Sequence, residues 1–364
     1  MKRLLCIIVS LMMLASVFTG CGPKNETADS TAQQSAAGTS EANTNAQDDK
    51  ELKELKVAVM PFLNSIPVKY IIEKGWDKEE GIKIETVLFA TGAPMNEALG
   101  ANLWDVGCIG TAAVTGVPTY DAKVIAEISD AAGGIELFVR PDSPIAKVKG
   151  FNPTFEDLLG NPETVKGKQV MLPVGTIMQL AELKWLEKIG LKDKDVKTVH
   201  MEYAQAYQAF LAGQGDIVGL NPPLSYKARE NGWIPVASLN SLKIPQYDQL
   251  MVNKKSYESK RAELVKFVKL MYRANAELMQ NPETEVKVLS DWYKENGQTI
   301  DEKTVREEVR TRPLLTAEDV KKKALGDSLK VTAEFMASIG KLQTEKLPIF
   351  DKNIVDDILQ EALK

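Results

Sequence analysis

Hydrophobic and polar positions divide the chain into three stretches with different patterns. Residues 4–17 are almost entirely apolar and follow Lys2 and Arg3, whereas residues 22–50 contain no aromatic residue and no leucine, isoleucine or valine. From Leu52 onward, apolar residues recur alternately at strand spacing and at helix spacing. This order predicts a short apolar leader, a polar linker and a folded body of strands and helices.

The folded body opens with one series of alternating elements. The spacing predicts strands over residues 55–60, 82–89, 105–109, 123–128 and 135–140, and helices over residues 66–74, 95–101 and 112–116. Such alternation is typical of an α/β protein with a largely parallel sheet. Because ligands bind these sheets in the crevice at the carboxyl ends of the strands, functional residues are expected at that end.

A second series follows a stretch rich in proline and glycine. It predicts strands over residues 169–172, 196–201, 216–220, 234–237 and 247–252, and helices over residues 178–189, 204–212, 224–230, 262–279, 284–292, 304–310, 317–339 and 354–363. A body of roughly 300 residues is large for one core, so two lobes are expected. The predicted first lobe comprises residues 52–140 and 253–364, and the second comprises residues 141–252. The chain would cross between them near residues 138–141 and 250–253, which predicts a hinge.

The apolar leader has the features of a secretory signal peptide over residues 1–20. Two basic residues precede the apolar run, which is shorter than the roughly 20 residues that a membrane-spanning helix needs. Residues 18–21, Phe-Thr-Gly-Cys, resemble a bacterial lipobox, which implies lipidation of Cys21 and anchoring to the outside of the cell membrane. The alternatives are a signal peptide without lipidation and an N-terminal anchor helix. The composition of residues 21–51 predicts a disordered linker.

Composition and charge exclude several classes of protein. The chain is 44% hydrophobic and 26% charged with a formal net charge of -5, which is typical of a soluble globular protein and unfavourable for a nucleic-acid partner. Cys108 is the only cysteine after Cys21, so no disulfide is expected within the body. His200 is the only histidine, and the sequence has no zinc-type Cys/His cluster, P-loop or Gly-x-Ser-x-Gly motif. We therefore predict no metal ion, no cofactor and no catalytic residues.

Small or hydroxyl residues follow several predicted strands, just before the next helix begins. A helix start leaves backbone N–H groups unpaired and carries a partial positive charge, so several starts that converge on one cleft can hold an anion. Because serine and threonine are also common N-caps, a purely structural role is the alternative for each turn. The turns are Asn64–Ser65, Thr91–Gly92, Gly110–Thr111 and Gly175–Thr176.

Two parts of the body carry a characteristic order of motifs. Over residues 82–99 and 105–111, a helix ending in Ala-Leu precedes an Asp-aliphatic-Gly strand, and residues 165–176 and 204–216 continue the order in the second series. Over residues 52–255 this order resembles the nitrate, sulfonate and taurine substrate-binding proteins of ABC importers. The resemblance implies an α/β, two-lobed type II periplasmic-binding-protein fold with a hinge and a helical C-terminal tail. It also implies closure on one small molecule and docking on a membrane permease with its ATPase.

The same resemblance implies a ligand cleft. Carried over to this chain, the cleft residues are Phe62, Asn64, Ser65, Thr91, Gly92, Gly110, Thr111, Asp130, Gly175, Thr176, Ile177 and Asn221. None of them is lysine or arginine, so a zwitterion or a neutral heterocycle fits as well as a bare anion. Asp130 would pair with an amine, and its alternative role is that of a turn or cap residue. Residues 221–223, Asn-Pro-Pro, depart from the aromatic-Ala-Pro that relatives often show.

These observations predict an extracytoplasmic solute-binding lipoprotein of an ABC importer. It would act as a monomer and capture a sulfonate, taurine-like, nitrate-like or pyrimidine-like molecule by hinge closure. The alternative is an enzyme of the same fold, because residues 62–67 resemble the N-terminal signature of chorismate dehydratases and pyrimidine-synthesis proteins also use the fold. The signal peptide argues against both enzymes, since their substrates are cytoplasmic. A sensor-linked or adhesive lipoprotein is a third alternative.

Overall fold

Two β-sheets form the framework of residues 52–364, the part of the chain that the computed structural model describes. The strands of this part are β1 Lys53–Val59, β2 Ile82–Leu88, β3 Val106–Ile109, β4 Lys123–Asp130, β5 Glu136–Val139, β6 Gln169–Leu172, β7 Lys197–His200, β8 Ile217–Leu220, β9 Ile234–Ser238 and β10 Tyr247–Val252. The first sheet has the order β2-β1-β3-β10-β4, and the second has the order β7-β6-β8-β5-β9. The leader, Cys21 and the linker lie outside the described residues.

Helices cover both faces of each sheet. In residues 52–364 they are α1 Ile66–Lys74, α2 Trp76–Glu79, α3 Gly92–Gly100, α4 Ala113–Tyr120, α5 Pro162–Val165, α6 Ile177–Lys188, α7 Tyr203–Leu211, α8 Leu224–Glu230, α9 Lys254–Ser259, α10 Arg261–Gln280, α11 Pro282–Glu295, α12 Glu302–Thr311, α13 Ala317–Val320, α14 Asp327–Ser338, α15 Leu347–Asn353 and α16 Asp357–Ala362. Among the described residues, we find no helix that is both long enough and apolar enough to span a bilayer.

One strand in each sheet runs against the others. In the first sheet, β1 is parallel to β2 and β3, whereas β10 is antiparallel to β3 and β4. In the second sheet, β6 is parallel to β7 and β8, whereas β5 is antiparallel to β8 and β9. The parallel strands of each sheet therefore end at one rim, where the turns into the following helices collect.

The sheet pairings correct the predicted lobe boundaries by one strand at each crossing. β5, predicted in the first lobe, pairs with β8 and β9 of the second sheet, and β10, predicted in the second lobe, pairs with β3 and β4 of the first. The chain crosses between the sheets at residues 131–135 and 239–246, not near residues 138–141 and 250–253. Local sequence does not distinguish these assignments, because both strands are almost wholly buried and their partners are distant along the chain.

Apolar cores fill both faces of each sheet. On the first sheet, α1 and α10 cover one face and α4 and α14 cover the other, with Phe267 and Val117 buried on the two sides. On the second sheet, α6 covers one face with Trp185 and α7 covers the other with Phe210. Because both faces are occupied, the rims are the parts of each sheet left free to form a site. We refer to each sheet with its helices as the first and the second lobe.

The helical C-terminal tail is present, but the predicted helix over residues 317–339 is interrupted. It forms α13 and α14, and the loop between them ends at Gly326, which has a φ of 80°. A β-carbon on Gly326 would lie 2.6 Å from Ile354 Cδ1, so both the backbone conformation and the available space favour glycine. The Gly326 N–H donates to Glu127 Oε1 at 3.1 Å, which fixes the start of α14 to the first sheet.

Candidate ligand-binding site

A cavity of about 310 Å³ lies at the facing rims of the two sheets. Its walls come from the first lobe, from the second lobe and from the crossings between them. The lining residues are Met60, Phe62, Asn64, Thr91, Gly92, Gly110, Thr111, Ala112, Ala131, Ile135, Thr176, Ile177, Tyr203, Asn221, Pro222, Gln246, Asp248 and Arg312. The cavity therefore contains nine of the twelve positions that the sequence predicts for the cleft.

Three helix starts line this cavity. α3 begins at Gly92 after Thr91, α4 begins after Gly110 and Thr111, and α6 begins after Thr176. The Thr176 hydroxyl accepts the Met178 N–H at 3.2 Å and donates to the Pro173 carbonyl at 2.7 Å, so it caps α6 and closes the preceding turn. Starts of α3 and α4 from one lobe and of α6 from the other thus meet across a single space, as an anion-holding cleft requires. We call them the helix-start wall.

Three predicted positions support the cavity from outside its lining in the described structure. Ser65 is buried, and its hydroxyl accepts the Met60 N–H and donates to Asn64 Oδ1, each at 3.1 Å. Asp130 Oδ1 accepts the Ala132 N–H at 2.9 Å, which is the turn role that the sequence left as its alternative. The Gly175 N–H donates to Gln179 Oε1 at 2.8 Å. Each of these contacts shapes a turn next to a lining residue.

The main feature that the sequence does not predict is a group of charged side chains, which we call the ion cluster: Asp248, Glu308 and Arg312. Asp248 lies on β10 and Arg312 follows α12, and both line the cavity. Arg312 Nη2 is 3.7 Å from Asp248 Oδ2, and its Nη1 is 3.5 Å from Glu308 Oε1. Within residues 52–364, Arg312 Nε has no hydrogen-bond partner. The cluster combines two buried carboxyl groups with one guanidinium.

Burial governs the protonation of the ion cluster. Burial raises the pKa of Asp248 and the pKa of Glu308, although Arg312 favours the ionised form of both. Burial on its own disfavours the charged guanidinium, but Asp248 and Glu308 raise the pKa of Arg312 above its ordinary value. Other groups bind the carboxyls as well: the Ser129 hydroxyl donates to Asp248 Oδ2 at 2.8 Å, and the Tyr293 hydroxyl donates to Glu308 Oε2 at 2.7 Å. The guanidinium therefore stays charged, and both carboxyl groups lie beside it.

The ion cluster also touches the first crossing. Thr311 lies next to Arg312, and the Thr311 carbonyl oxygen would be 2.0 Å from a β-carbon on Gly133. The Tyr226 hydroxyl of α8 forms a hydrogen bond of 2.7 Å with Thr311 Oγ1, which connects the second lobe to the end of α12. The segment that carries Arg312 therefore packs tightly against the chain between the lobes.

A larger groove of about 560 Å³ lies between α8 and α12, outside the rims. Its charged side chains are paired with other residues of the chain: Arg229 with Glu136 at 2.6 Å, Lys303 with Glu230 at 3.0 Å, and Arg310 with Glu307 at 2.6 Å. The helix starts and the ion cluster point to the smaller cavity as the binding site. In residues 52–364, no group of three or more His, Cys, Asp or Glu side chains is placed to hold a metal ion.

Comparisons with known proteins agree with this geometry. The model of the NMT1-like family matches residues 48–290. A Brachyspira hyodysenteriae protein that carries the name of an ABC transporter periplasmic binding protein is 40% identical over 363 residues, covering 100% of both chains. A Bacillus subtilis protein named for binding aliphatic sulfonates is 25% identical over 281 residues, 75% of this chain and 73% of that one.

A solved structure confirms the predicted fold. The periplasmic aliphatic sulphonate binding protein of Escherichia coli superimposes with a TM-score of 0.66 at 16% identity, over 84% of this chain and 92% of that chain. At this level of identity the similarity concerns the fold alone. The two-lobed α/β periplasmic-binding-protein architecture predicted from the sequence is therefore correct.

Proposed function

The chain belongs to the NMT1-like family of substrate-binding proteins, and on this basis we propose that it is the extracytoplasmic solute-binding protein of an ABC importer. It is a binding protein and not an enzyme, in agreement with the names of its curated relatives. The observation that carries the proposal is the cavity at the facing rims, which is lined by both lobes and by the segments where the chain crosses between them.

The mechanism that this arrangement supports is closure of the lobes around the ligand. Thr91, Gly92 and Thr111 contribute to the cavity from the first lobe, and Thr176 and Asn221 contribute from the second. A ligand that touches both sets binds the closed arrangement more tightly than the open one, so it shifts the population towards closure. The permease would recognise the closed form, and one copy of the chain is sufficient for this mechanism.

The ion cluster favours some of the predicted ligand classes over others. Arg312 is the cationic residue of the cavity lining, and its guanidinium already has carboxyl groups at 3.7 Å and 3.5 Å, which makes it a weaker partner for a nitrate or a simple sulfonate. The lining also includes the hydroxyl residues Thr91, Thr111 and Thr176, and a hydroxyl can both donate and accept a hydrogen bond, so a suitable ligand offers both kinds of group. We therefore favour a taurine-like zwitterion or a pyrimidine-like heterocycle with an N–H donor.

Calorimetric titrations of the full chain with four compounds test the ligand class. Taurine and ethanesulfonate form a matched pair, because they differ only in the ammonium group, and 4-aminopyrimidine and nitrate represent the other two classes. We expect taurine or 4-aminopyrimidine to bind at least about tenfold more tightly than ethanesulfonate and nitrate, which corresponds to about 1.4 kcal/mol. Equal affinity for taurine and ethanesulfonate, with no binding of 4-aminopyrimidine, would contradict this ligand class. No binder at all would count against solute binding itself.

A matched pair of variants assigns the preference to one carboxyl group. Asp248→Asn removes a carboxylate that lines the cavity, whereas Asp130→Asn changes one that faces a turn at the crossing. Asp248→Asn should weaken the binding of the preferred nitrogen-containing ligand about tenfold, because one charged partner of its N–H group is lost. Asp130→Asn should leave the affinity within about twofold. The same loss in both variants would contradict the assignment to Asp248.

The position of the protein outside the cell membrane rests on the N-terminal sequence. Lys2, Arg3 and the apolar residues 4–17 support export, and residues 18–21 support lipidation of Cys21. Metabolic labelling with an alkyne fatty acid tests this part of the proposal. The label should be incorporated into the full chain and lost in Cys21→Ala, while a Cys108→Ala control keeps it. A labelled Cys21→Ala variant would contradict lipidation at this position.

A further inference from the structure

Helix α14 packs on both lobes at once. Leu329 and Ala333 belong to the core cluster on the α4 face of the first lobe. Further along the helix, Phe335 belongs to the α6 core of the second lobe, Ile339 packs against the same core, and Met336 packs against the cores of both lobes. Although α14 follows the first lobe in the chain, its C-terminal end is therefore part of the hydrophobic interior of the other lobe.

Just after α14, the side chain of Lys341 reaches the helix-start wall. A β-carbon built on Gly175 would lie 3.0 Å from Lys341 Cε and 3.5 Å from Lys341 Cδ, so the aliphatic part of Lys341 lies along the turn before α6. Thr176, the next residue in that turn, lines the cavity. The segment just after α14 thus lies against the residue that precedes Thr176 in the cavity lining. The apolar contacts of α14 itself lie outside the cavity lining in the described residues.

The position of α14 couples the cavity to a contact outside it. α4 and α6 both begin at the cavity, one on each lobe, and α14 packs against both. A rigid helix seated on two bodies keeps both contacts in only one relative orientation of the bodies, because packed interfaces do not deform continuously. Opening the cavity by moving α4 away from α6 must therefore separate α14 from one lobe.

We propose that α14 is a clasp that holds the two lobes in the closed orientation, with Phe335, Met336 and Ile339 as positioning residues for the helix-start wall. Its apolar contacts with the second lobe stabilise closure before any ligand binds. They therefore set how often the cavity is complete, and so set the apparent affinity without touching the ligand. The clasp rests on the proposed function only in requiring that the two lobes move relative to each other.

Distance measurements on the ligand-free full chain test the clasp directly. Lys83 on β2 and Lys194 just before β7 are exposed, and β2 and β7 are the outermost strands of the two sheets, furthest in strand order from the crossings. Bioorthogonal fluorophores introduced at these two positions would report the separation of the lobes by energy transfer. The wild type should populate mainly the short distance.

The decisive variant is Phe335→Ala, with Val331→Ala as its matched control. Phe335 is 9% exposed in the second-lobe core, whereas Val331 on the same helix is 40% exposed. Phe335→Ala should raise the ratio of open to closed molecules roughly tenfold, because a buried aromatic side chain no longer holds the second lobe. Val331→Ala should keep the wild-type distribution.

A second variant and a second measurement keep the outcome decisive. Met336→Ala removes a smaller part of the same contact and should shift the distances in the same direction as Phe335→Ala. Circular dichroism and urea unfolding establish that each variant is folded. Folded Phe335→Ala and Met336→Ala variants with wild-type distances would overturn the clasp, and so would a ligand-free wild type that is already open. Failure of the proposed function appears separately, as the absence of a binder in the calorimetric screen.

Discussion

The helix-start wall and the ion cluster are built in different ways. The helix-start wall consists of short stretches in which a strand ends, a small or hydroxyl residue follows and a helix begins, so each part of it is local in sequence. The ion cluster joins Asp248 to Glu308 and Arg312, which lie more than fifty residues further along the chain, so it forms only after folding. The helix-start wall offers uncharged hydrogen-bonding groups, and the ion cluster offers one guanidinium beside two buried carboxyl groups. The comparison teaches that both lobes supply the shape of the site, whereas its charged groups come from the first lobe alone, from β10, α12 and the residue after α12.

The largest effect is expected from breaking the ion cluster. Arg312→Gln leaves Asp248 and Glu308 buried without their guanidinium, so the free energy of unfolding at pH 8 should fall by about 3–5 kcal/mol. Arg310→Gln is the control, because Arg310 pairs with Glu307 at the surface and its loss should cost less than about 1 kcal/mol. Urea unfolding of both variants measures the difference. Equal losses would mean that the ion cluster is no more important to the fold than a surface pair.

A smaller effect is expected from Glu182 on α6, a buried carboxyl that belongs neither to the helix-start wall nor to the ion cluster. Burial raises the pKa of Glu182 to about 7 from an ordinary 4.5, even though the Thr198 hydroxyl donates to it at 2.7 Å. The folded chain then retains this proton to higher pH than the unfolded chain does, so the free energy of unfolding falls as the pH rises between these two values. Glu182→Gln removes this loss. The variant should exceed the wild type by about 3 kcal/mol at pH 8 and equal it at pH 4.

The pH dependence needs a control on the same helix. Glu187 is exposed and pairs with Lys184 and Lys188, and its pKa is lowered, first of all by Lys188. Glu187→Gln should therefore bring no gain at pH 8 and should cost less than about 1 kcal/mol. If Glu182→Gln also brought no gain in the free energy of unfolding at pH 8, the burial of Glu182 would not destabilise the protein and this prediction would be wrong.

The smallest effect concerns the helix-start wall. The Thr176 hydroxyl accepts the Met178 N–H, whereas Thr91, the N-cap of α3, makes no side-chain cap hydrogen bond within residues 52–364. Thr176→Ala should lower the free energy of unfolding by about 1 kcal/mol, and Thr91→Ala should change it by less than about 0.5 kcal/mol. Thermal unfolding of the pair measures the difference. A larger loss in Thr91→Ala would show that the cap geometry does not control the stability of this wall.

The sequence predicts the position of the helix-start wall well, because the sequence signals for each of its turns are local. A strand pattern, a turn residue and a helix pattern lie within about ten residues of each other, so the positions around Thr91, Thr111 and Thr176 can be recognised without knowing the tertiary structure. The same signals include residues that only support the turns, such as Ser65 and Gly175, and the family resemblance adds Asp130, which also supports a turn. A pattern of residues locates a turn, but it does not show which side of the turn faces the cavity.

The ion cluster and the crossings could not be predicted in the same way. Asp248 does leave a signal, because it and Gln249 interrupt an otherwise apolar strand, but Arg312 follows a charged helix that already contains Arg306 and Arg310. The assignment of β5 and β10 to their sheets depends on partners that lie 80 or more residues away, as for Glu136 opposite Leu220 and Val252 opposite Val106. These features depend on tertiary contacts, which hydrophobic spacing does not encode.

The most direct test of the account is a crystal structure of the protein with the tightest ligand from the calorimetric screen. The account predicts ligand density in the cavity between the two rims, with contacts to the helix-start wall from both lobes and to Arg312 or Asp248. Density in the groove between α8 and α12, or on one lobe alone, would contradict it.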